Sequence, residues 1–480
     1  MNKLLAVIIC TLIKFVGLSQ SFDIQRKFNS SELKEDLHYL FASLENIHPN
    51  LYGYTAKDEI RTLVKNIEGE LNTPMTRLEF AQRVIPIVTK LKDGHTGLSF
   101  PNEERNEYLK NGGKVFPFDI LLVDGHVLIK RNYSRDSTLT TGSEIISINN
   151  RPIQEILIQM RQYVSAELDF YRDVRIQEVF KRLLWFVTGT EGDYYLQIES
   201  QGKNENHFVK GITSKELEIL QQKFGVTQKI KPYSFYRLPN TNAGVIDFRQ
   251  MIDIKKFRIF LDSVFIVVKK DNIQHVIIDI RNNGGGNSAL VDRLFNYITN
   301  TPYQQAVRME IKSSKETRKS VMKQRFKWYM YPVYPLFYFA GKHARAYLFK
   351  RNGAITVVEP HQFITPKNVT NKFKGKTYLL TSHYTFSSAN ILADAYKCFK
   401  MGTVIGEETG GVLTAYGDLI GLKLPNTKLN AYCSHKKFVH PCADNEVHGV
   451  KPDVEIKETI EDIREGKDAV MEYMKKLIRP

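Results

Sequence analysis

The chain has few of the features that mark specialised protein classes. Its 480 residues include only four cysteines and two tryptophans, which excludes a small disulfide-dense scaffold. Beyond residue 20, no apolar run is long enough to cross a bilayer, so no membrane-spanning segment is predicted there. The length instead allows two to four domains with at least one large core.

Dense basic runs are also absent, although the net charge is positive. The 68 basic residues exceed the 52 acidic residues by 16, but they are dispersed along the chain. No nucleic-acid-binding motif accompanies them, so we expect no nucleic-acid partner. The excess charge leaves peripheral contact with an anionic envelope membrane open.

Residues 1–20 have the pattern of a signal peptide. Lys3 precedes the apolar stretch 4–13, and small residues follow before a plausible cleavage point. Lys14 interrupts the apolar run, which argues against a spanning helix. We therefore predict an exported protein, periplasmic or extracellular, with lipid attachment at Cys10 as the weaker alternative.

The remaining cysteines predict one disulfide in the C-terminal part of the chain. Cys398 stands alone in a helix-like run and is expected to be buried. Cys433 and Cys442 lie close together in a hairpin-like stretch, so they are the candidate disulfide of an exported protein. A zinc site is the alternative, although the spacing fits no standard finger. That site would add the nearby His435, His440 and His448.

Changes in pattern divide the rest of the chain into three parts. Residues 21–112 read as a helical module, and residues 113–232 as a β-rich domain. Residues 233–480 alternate strand and helix signals, which predicts an α/β domain with a largely parallel sheet. The aromatic and basic stretch 318–352 interrupts that alternation, either as a substrate lid or membrane-facing flap, or as an inserted packing element.

Local capping patterns support the helical module. Leucines at helical spacing follow Ser30 and Ser31, which can cap a first helix. Thr76 and Glu79 form a capping-box pattern before a second helix. Pro86 is predicted to kink or restart that second helix.

The β-rich part contains a strand–turn–strand pattern at residues 142–153 that resembles a stretch of a PDZ domain. PDZ domains bind peptide tails by adding them as a strand to a sheet edge. A generic β-rich domain is the alternative, because similar hairpins occur elsewhere.

Two strand-to-helix junctions contain the candidate catalytic groups. One is the glycine-rich turn 278–286, and the other is the segment 385–390, which contains Ser387. Such junctions expose backbone N–H groups at the positive end of a helix. Together they predict a serine nucleophile facing an oxyanion hole. His95, in a third segment, is the candidate base.

The candidate oxyanion donors are the N–H groups of Gly284 or Gly285 and of Ser388. Ser387 is alternatively a helix N-cap, with Ser388 as the nucleophile. The glycine turn is alternatively a phosphate cradle, but it lacks the ending of a P-loop and the glycine spacing of dinucleotide sites. Asp279 and Arg281 are expected to pin the turn by hydrogen bonds and an ion pair.

Six segments in this order resemble the tail-specific, or C-terminal processing, serine peptidases. The resemblance spans most of residues 40–456 and implies a crotonase/ClpP-like catalytic core. The segments are His48-Pro49-Asn50-Leu51-Tyr52, Asp93-Gly94-His95-Thr96, Asp279-Ile280-Arg281-Asn282-Asn283-Gly284-Gly285-Gly286, Thr385-Phe386-Ser387-Ser388-Ala389, Gly406-Glu407-Glu408-Thr409-Gly410-Gly411 and Gly449-Val450-Lys451-Pro452-Asp453.

The resemblance favours the variant of this family that is similar to the tricorn core and uses Ser, His and Glu. The Ser–Lys variant places its lysine about 25 residues after the serine, but residues 401–422 contain no lysine. Glu446 stands where the tricorn-like variant has its glutamate. That variant also has a serine before its histidine, where this chain has Gly94, so another group must link Glu446 to His95.

The sequence therefore predicts an exported serine peptidase that acts on protein or peptide substrates. Ser387 would form the acyl-enzyme, His95 would be the base and Glu446 the carboxylate, with no metal or organic cofactor. One alternative is a non-catalytic protein on the same fold that binds peptide tails or apolar ligands. Another is a crotonase-like acyl-CoA enzyme, against which the signal peptide argues.

Overall fold

The computed structural model describes residues 23–478 except 190–191, 201, 227–230, 326–327, 340 and 361. The predicted signal peptide at residues 1–20 and Cys10 lie outside the described residues. Among the helices described, none combines the length and the apolar character needed to cross a bilayer.

An N-terminal helical module comes first in the chain. Its apolar side chains form one core together with residues of a later hairpin, including Ile420 and Cys433. The elements are β1 (Lys27–Phe28), α1 (Ser30–Ile47), α2 (Lys57–Glu70), β2 (Met75–Thr76), α3 (Arg77–Thr89) and β3 (Gly97–Leu98).

Capping boxes start two helices of this module. Asn29 caps α1 through the N–H of Glu32, so the predicted caps Ser30 and Ser31 are wrong by one or two residues. They already lie inside the helix. The capping box at the start of α3 is confirmed.

Helix α3 runs from Arg77 to Thr89 through Pro86, so the predicted restart at this proline is wrong. The hydroxyl of Thr89 donates to the carbonyl of Pro86.

A PDZ-like domain follows the helical module. Its main sheet has the order β10-β9-β7-β6-β5, with β8 beside β7, so β5 is an edge strand. The elements are α4 (Asn102–Lys110), β4 (Lys114–Val115), β5 (Phe118–Val123), β6 (His126–Asn132), β7 (Glu144–Ile148), β8 (Arg151–Pro152), α5 (Ile153–Arg161), α6 (Asp169–Thr188), β9 (Asp193–Ser200), β10 (Lys203–Lys210), β11 (Ile212–Thr213) and α7 (Ser214–Lys223).

The α/β domain is built on a six-stranded sheet of order β12-β13-β14-β17-β18-β21, which confirms the predicted fold class. All pairs after the antiparallel β12–β13 pair are parallel. The elements of this sheet and its helices are β12 (Tyr233–Arg237), β13 (Ala243–Phe248), α8 (Ile254–Lys270), β14 (His275–Asp279), α9 (Ala289–Ile298), β17 (Lys376–Thr381), α12 (Ser388–Cys398), β18 (Thr403–Gly406), β21 (Val454–Glu455), α13 (Ile460–Glu465) and α14 (Ala469–Leu477).

The register of this sheet sets the position of both predicted junctions. Asp279 at the end of β14 lies opposite Leu380 near the end of β17. The glycine turn and the Ser387 segment therefore leave the sheet side by side at the carboxyl edge of parallel strands. Arg281 pairs with Asp279 at 2.8 Å and with Asp468, and these ion pairs pin the turn as expected.

A second sheet of order β16-β15-β20-β19 accepts strand β3 of the helical module beside β20. Between β15 and β16 lies the insertion, whose Ala346 and Leu348 are buried. This burial favours the interpretation of the insertion as a packing element. The elements are β15 (Arg308–Lys312), α10 (Lys315–Arg325), a 3₁₀ segment (Trp328–Phe339), α11 (Lys342–Leu348), β16 (Ile355–Val358), β19 (Thr414–Lys423) and β20 (Asn430–Val439).

The predicted Cys433–Cys442 disulfide is wrong. Cys442 instead bonds to Cys398 at the end of α12, with their Cα atoms 5.6 Å apart. Cys433 is a free, buried cysteine whose side chain packs in the core of the helical module. The zinc alternative loses its ligand Cys442 to the same bond.

Candidate active site

Ser387 occupies the turn between β17 and α12 in a conformation that few non-glycine residues adopt. Its φ is 55° and its ψ is −125°, and such strained backbone persists only where the surroundings hold it. Ser387 stands at the N-cap position, yet its side chain makes no capping hydrogen bond. Its Oγ lies instead 3.2 Å from Nε2 of His95.

The neighbouring Ser388 has a different structural role. Its hydroxyl donates to the carbonyl of Gly286 at 2.7 Å and is thereby engaged. This hydrogen bond joins the Ser387 segment to the glycine turn. Of the two serines, Ser387 is the one whose hydroxyl faces a base.

His95 reaches Ser387 because the strand that follows it docks on the second sheet. Gly97 of β3 pairs with Tyr432 of β20, which fixes the end of the His95 loop. The imidazole stacks on Phe386, with ring centroids 4.6 Å apart. The sequence predicted the pairing of His95 with Ser387, and the structure brings the two together.

The environment of His95 favours its neutral form. Burial lowers the pKa of the imidazole, and the charges of Asp93 and Asp418 oppose this shift only in part. A neutral imidazole can accept a proton near pH 7, as a general base must.

Asp93 is a buried carboxylate held by four donors. Its Oδ1 accepts from the backbone N–H of His95 at 2.9 Å. Its Oδ2 accepts from His48 Nε2 at 3.1 Å, from Thr96 Oγ1 at 2.5 Å and from Ser434 Oγ at 2.8 Å. Burial alone would raise the pKa of Asp93, but the hydrogen bond and charge of His48 lower it to about 2. Asp93 is therefore ionised beside His95.

Glu167 is a second carboxyl group at the site, half-buried with its Oε2 atom buried, and sequence reasoning missed it. Single ligand atoms of Asp93, His95 and Glu167 all lie within 4.8 Å of one another. Burial, and then the charge of Asp93, raise the pKa of Glu167 to about 8, so this carboxyl group is protonated at neutral pH. Oε2 of Glu167 and Nδ1 of His95 are both buried without a hydrogen-bond partner among the described residues.

Gly94 explains how Glu167 fits beside His95. A β-carbon at Gly94 would lie 3.0 Å from Oε2 of Glu167 and 3.1 Å from Cζ of Phe386. The space that a serine side chain would need is therefore taken by these two groups. No signal within residues 142–188 pointed to Glu167, because only the tertiary fold brings it to Gly94.

Among the described residues, no hydrogen bond or ion pair links Glu446 to His95, directly or through another side chain. Glu446 is exposed, and its N–H donates to Asp444. It lies with Asp444 and His448 in a separate surface cluster. Its predicted role came from its place in the motif order, which fixes no side-chain position.

The glycine turn approaches Ser387 through Gly285. This residue has a φ of +101°, and a β-carbon here would lie 2.8 Å from both Cβ of Ser387 and the backbone nitrogen of Ser388. Only glycine permits this approach. The N–H of Gly285, however, donates to Oδ1 of Asn283 at 2.9 Å, so it is not a free oxyanion donor.

The N–H groups of Gly286 and Ser388 are better placed as oxyanion donors. Neither donates a hydrogen bond within the described part of the chain. Gly286 and Ser388 line the same cavity as Ser387 and His95, whereas Gly284 and Gly285 line a different one. The position of Ser388 agrees with its predicted role, and Gly286 is a further candidate donor that lines the same cavity, whereas the predicted Gly284 and Gly285 do not line it.

Family comparisons agree with the geometry. Residues 242–456 match the model described as peptidase family S41, and residues 112–218 match the model described as a PDZ domain. The α/β domain that carries Ser387 is thus similar to peptidase family S41. This confirms both the predicted serine peptidase and the resemblance to the tail-specific peptidases.

Solved structures of mature CPAF share the fold of this chain. Mature CPAF and mature CPAF complexed with lactacystin have TM-scores of 0.65 and 0.64, each at 14% identity. The alignments cover 94% of this chain and 97% and 98% of those chains. The photosystem II D1 C-terminal processing protease aligns over 91% of this chain and 98% of its own, at 12% identity and a TM-score of 0.43. A search of curated proteins gives no match.

The candidate active site opens into a cavity of about 430 Å³. Ser387, His95 and Gly286 lie on one side of it. Apolar side chains, among them Met309, Val412 and Phe438, line other parts. The cavity can hold a substrate side chain next to the reacting atoms.

Proposed function

We propose that this serine peptidase is exported and cleaves polypeptides through an acyl-enzyme on Ser387, with His95 as general base. The observation that carries the proposal is the 3.2 Å contact between His95 Nε2 and an Oγ that caps no helix. A serine hydroxyl becomes a competent nucleophile when an adjacent base removes its proton.

In the first step, Oγ of Ser387 attacks the carbonyl carbon of the scissile peptide as its proton passes to Nε2 of His95. The carbonyl oxygen gains negative charge and receives hydrogen bonds from the N–H groups of Gly286 and Ser388. Loss of one such donor typically costs about 3–4 kcal/mol of transition-state stabilisation.

Asp93 and Glu167 stabilise His95 in different ways. Ionised Asp93 stabilises the imidazolium that forms, because its negative charge raises the pKa of His95. Neutral Glu167 offers Oε2 as an acceptor for Nδ1–H and so holds the tautomer that leaves Nε2 free. Neither Oε2 of Glu167 nor Nδ1 of His95 has a hydrogen-bond partner among the described residues. The hydrogen bond between them forms as the reaction begins, since catalytic hydrogen bonds often shorten at that stage.

The tetrahedral intermediate then collapses: the carbonyl re-forms, the C–N bond breaks, and the imidazolium gives its proton to the leaving amine, which leaves the acyl-enzyme on Ser387. His95 then takes a proton from water, and the resulting hydroxide attacks the ester carbonyl on Ser387. Collapse of the intermediate returns the proton to Oγ and releases the acid.

Export is supported by two features of the chain. Residues 1–20 have the signal-peptide pattern, and Cys398 and Cys442 form a disulfide, a bond typical of oxidising compartments. N-terminal sequencing of protein from producing cells should find a start just after residue 20. Mature protein that retains residues 1–20 would contradict export by this route.

The test of the peptidase is mass spectrometry of the termini released from a peptide library. Wild type and the control Ser263→Ala, on the exposed side of α8, should release the same new termini. Ser387→Ala should release none, and His95→Ala should lower the rate by roughly 10²–10⁴-fold. Cleavage by Ser387→Ala would overturn the proposal, and tight peptide binding without cleavage by wild type would favour a binding protein.

A further inference from the structure

A second cavity, of about 900 Å³, lies between the PDZ-like domain and the glycine turn, and we call it the cationic groove. Its lining does not include Ser387 or His95. Six cationic side chains line it, opposed by the two acids Asp119 and Glu178. The six are Arg105, Lys130, Arg131, Lys181, Arg182 and Arg249.

The walls of the cationic groove suit an extended peptide. One wall is β5, the edge strand of the PDZ-like sheet, and the facing wall is α6. Gln177 of α6 accepts the N–H of Leu122 at 2.9 Å, as a neighbouring strand would. In the described part of the chain, no strand pairs with the outer edge of β5, and apart from the N–H of Leu122 this edge can serve as a template for an added strand.

Three cations of the groove lack an acidic partner. Asp119 pairs with both Arg131 and Lys181, and Arg249 pairs with Asp247. Among the described residues, no ion pair involves the other three cations, Arg105, Lys130 and Arg182.

Arg105 and Arg182 are half-buried, and neither forms an ion pair within the described residues. The guanidinium of Arg182 lies over the ring of Phe100, 5.0 Å from its centroid. The Nε of Arg182 is buried without a hydrogen-bond partner among the described residues. Burial, and then the charge of Arg105, lower the pKa of Arg182, and burial also lowers that of Arg105. The two guanidinium groups therefore repel each other in the free protein, and an anion between them would relieve that repulsion.

The groove also reaches the glycine turn, on the side opposite the cavity of Ser387. It is lined by Asn282, Gly284 and Gly285 of the glycine turn. Gly285 packs so closely on Ser387 that a β-carbon on it would lie 2.8 Å from Cβ of the serine. The groove and the nucleophile therefore lie on the two sides of one turn.

We propose that the cationic groove selects substrates that carry an acidic segment next to the scissile bond. The segment adds along β5, and its carboxylate side chains pair with Arg105 and Arg182, whose guanidinium groups suit two-pronged hydrogen bonds. This inference rests on the proposed peptidase function and names its substrate class.

The test compares two fluorogenic peptides with one scissile core, flanked by a Glu-rich or by the matching Gln-rich segment. Wild type should cleave the Glu peptide with a kcat/KM roughly tenfold or more above that of the Gln peptide. The ratio should fall as salt rises. Arg105→Gln and Arg182→Gln should each reduce the ratio without slowing cleavage of the Gln peptide, whereas Arg182→Lys should keep part of it.

Lys110→Gln is the matched control, because it removes one cation from the same helix as Arg105 but outside the groove. It should leave the ratio unchanged. Equal cleavage of both peptides by wild type, or equal loss for both in the arginine variants, would overturn the inference.

Two further readouts separate this inference from the peptidase proposal. Fluorophosphonate labelling of Ser387 should be the same in wild type and both glutamine variants. The Ser387→Ala protein should bind the Glu peptide more tightly than the Gln peptide in fluorescence anisotropy, even if nothing is cleaved. Equal binding of the two peptides would refute the proposal that the cationic groove selects acidic segments. Competition by inorganic phosphate at constant ionic strength would show instead that the groove binds a free anion.

Discussion

At the residue scale, the two carboxyl groups nearest His95 have opposite charge states. Asp93 receives four hydrogen bonds and keeps its negative charge. Glu167 has no donor at Oε2 and keeps its proton at neutral pH. Two close carboxyl groups do not both ionise at neutral pH, so the one that receives more hydrogen bonds, Asp93, carries the charge.

The neutral state of His95 predicts the acidic side of the pH profile. Because burial lowers the pKa of His95 from its usual 6.5, the base stays unprotonated to lower pH than a free histidine. The acidic limb of kcat/KM should therefore have its midpoint below pH 6.5. A midpoint above 6.5 would show that the Asp93 charge outweighs burial.

The neutral state of Glu167 predicts that Glu167→Gln is mild at neutral pH. Gln matches the shape and charge of a protonated Glu, so kcat should stay within about threefold at pH 7. Above pH about 8 only the wild type gains a negative charge, so the two pH profiles should separate there. A loss of about 100-fold at pH 7 would mean that Glu167 acts as an ion.

The exposed position of Glu446 gives a direct comparison with the motif-based prediction. Glu446→Gln removes a surface charge outside the cavity, and substitutions of that kind are usually nearly neutral. We expect kcat/KM within about twofold of wild type. A loss as large as that of His95→Ala would instead support the catalytic role predicted from the sequence.

At the element scale, the short strand β3 joins the helical module to the second sheet and thereby delivers His95. Gly97 faces Tyr432 so closely that a β-carbon would lie 2.5 Å from the phenol oxygen. Gly97→Val should push β3 away and slow fluorophosphonate labelling of Ser387 by tenfold or more, since small misplacements of catalytic groups are costly.

Gly421→Val is the matched control for Gly97→Val. Gly421 lies on the neighbouring strand β19, also opposite Tyr432, and a β-carbon there meets nothing within 4 Å. Fluorophosphonate should label Ser387 in Gly421→Val at the same rate as in wild type. Equal slowing in both variants would show that the effect is general destabilisation.

The Cys398–Cys442 bond ties the loop after β20 to the end of α12, whose first turn carries the candidate oxyanion donor Ser388. The loop that it closes spans 44 positions, so its loss should cost about 3–4 kcal/mol of unfolding free energy. Cys398→Ser should show this loss in urea unfolding and should not respond to reductant. Cys433→Ser, at the free cysteine, keeps the bond and should lose stability when reductant is added, as wild type should. Unchanged stability in Cys398→Ser would contradict the bond.

At the scale of the whole molecule, the sequence predicted the features that local pattern determines. The α3 capping box, the parallel alternation and the Ser387 junction each depend on a few neighbouring residues. The identity of His95 came from the motif order. Glu167, the Cys442 partner and the unpaired arginines depend on contacts between distant parts of the chain, which no local pattern records.

The central claim is that Ser387 is a nucleophile activated by His95, and covalent labelling tests it most directly. A fluorophosphonate should add to one residue of the wild-type protein, and peptide mapping should place the adduct on Ser387. Labelling should persist in Ser263→Ala and be lost in Ser387→Ala and strongly slowed in His95→Ala. An adduct on Ser388, or unchanged labelling in His95→Ala, would contradict the account.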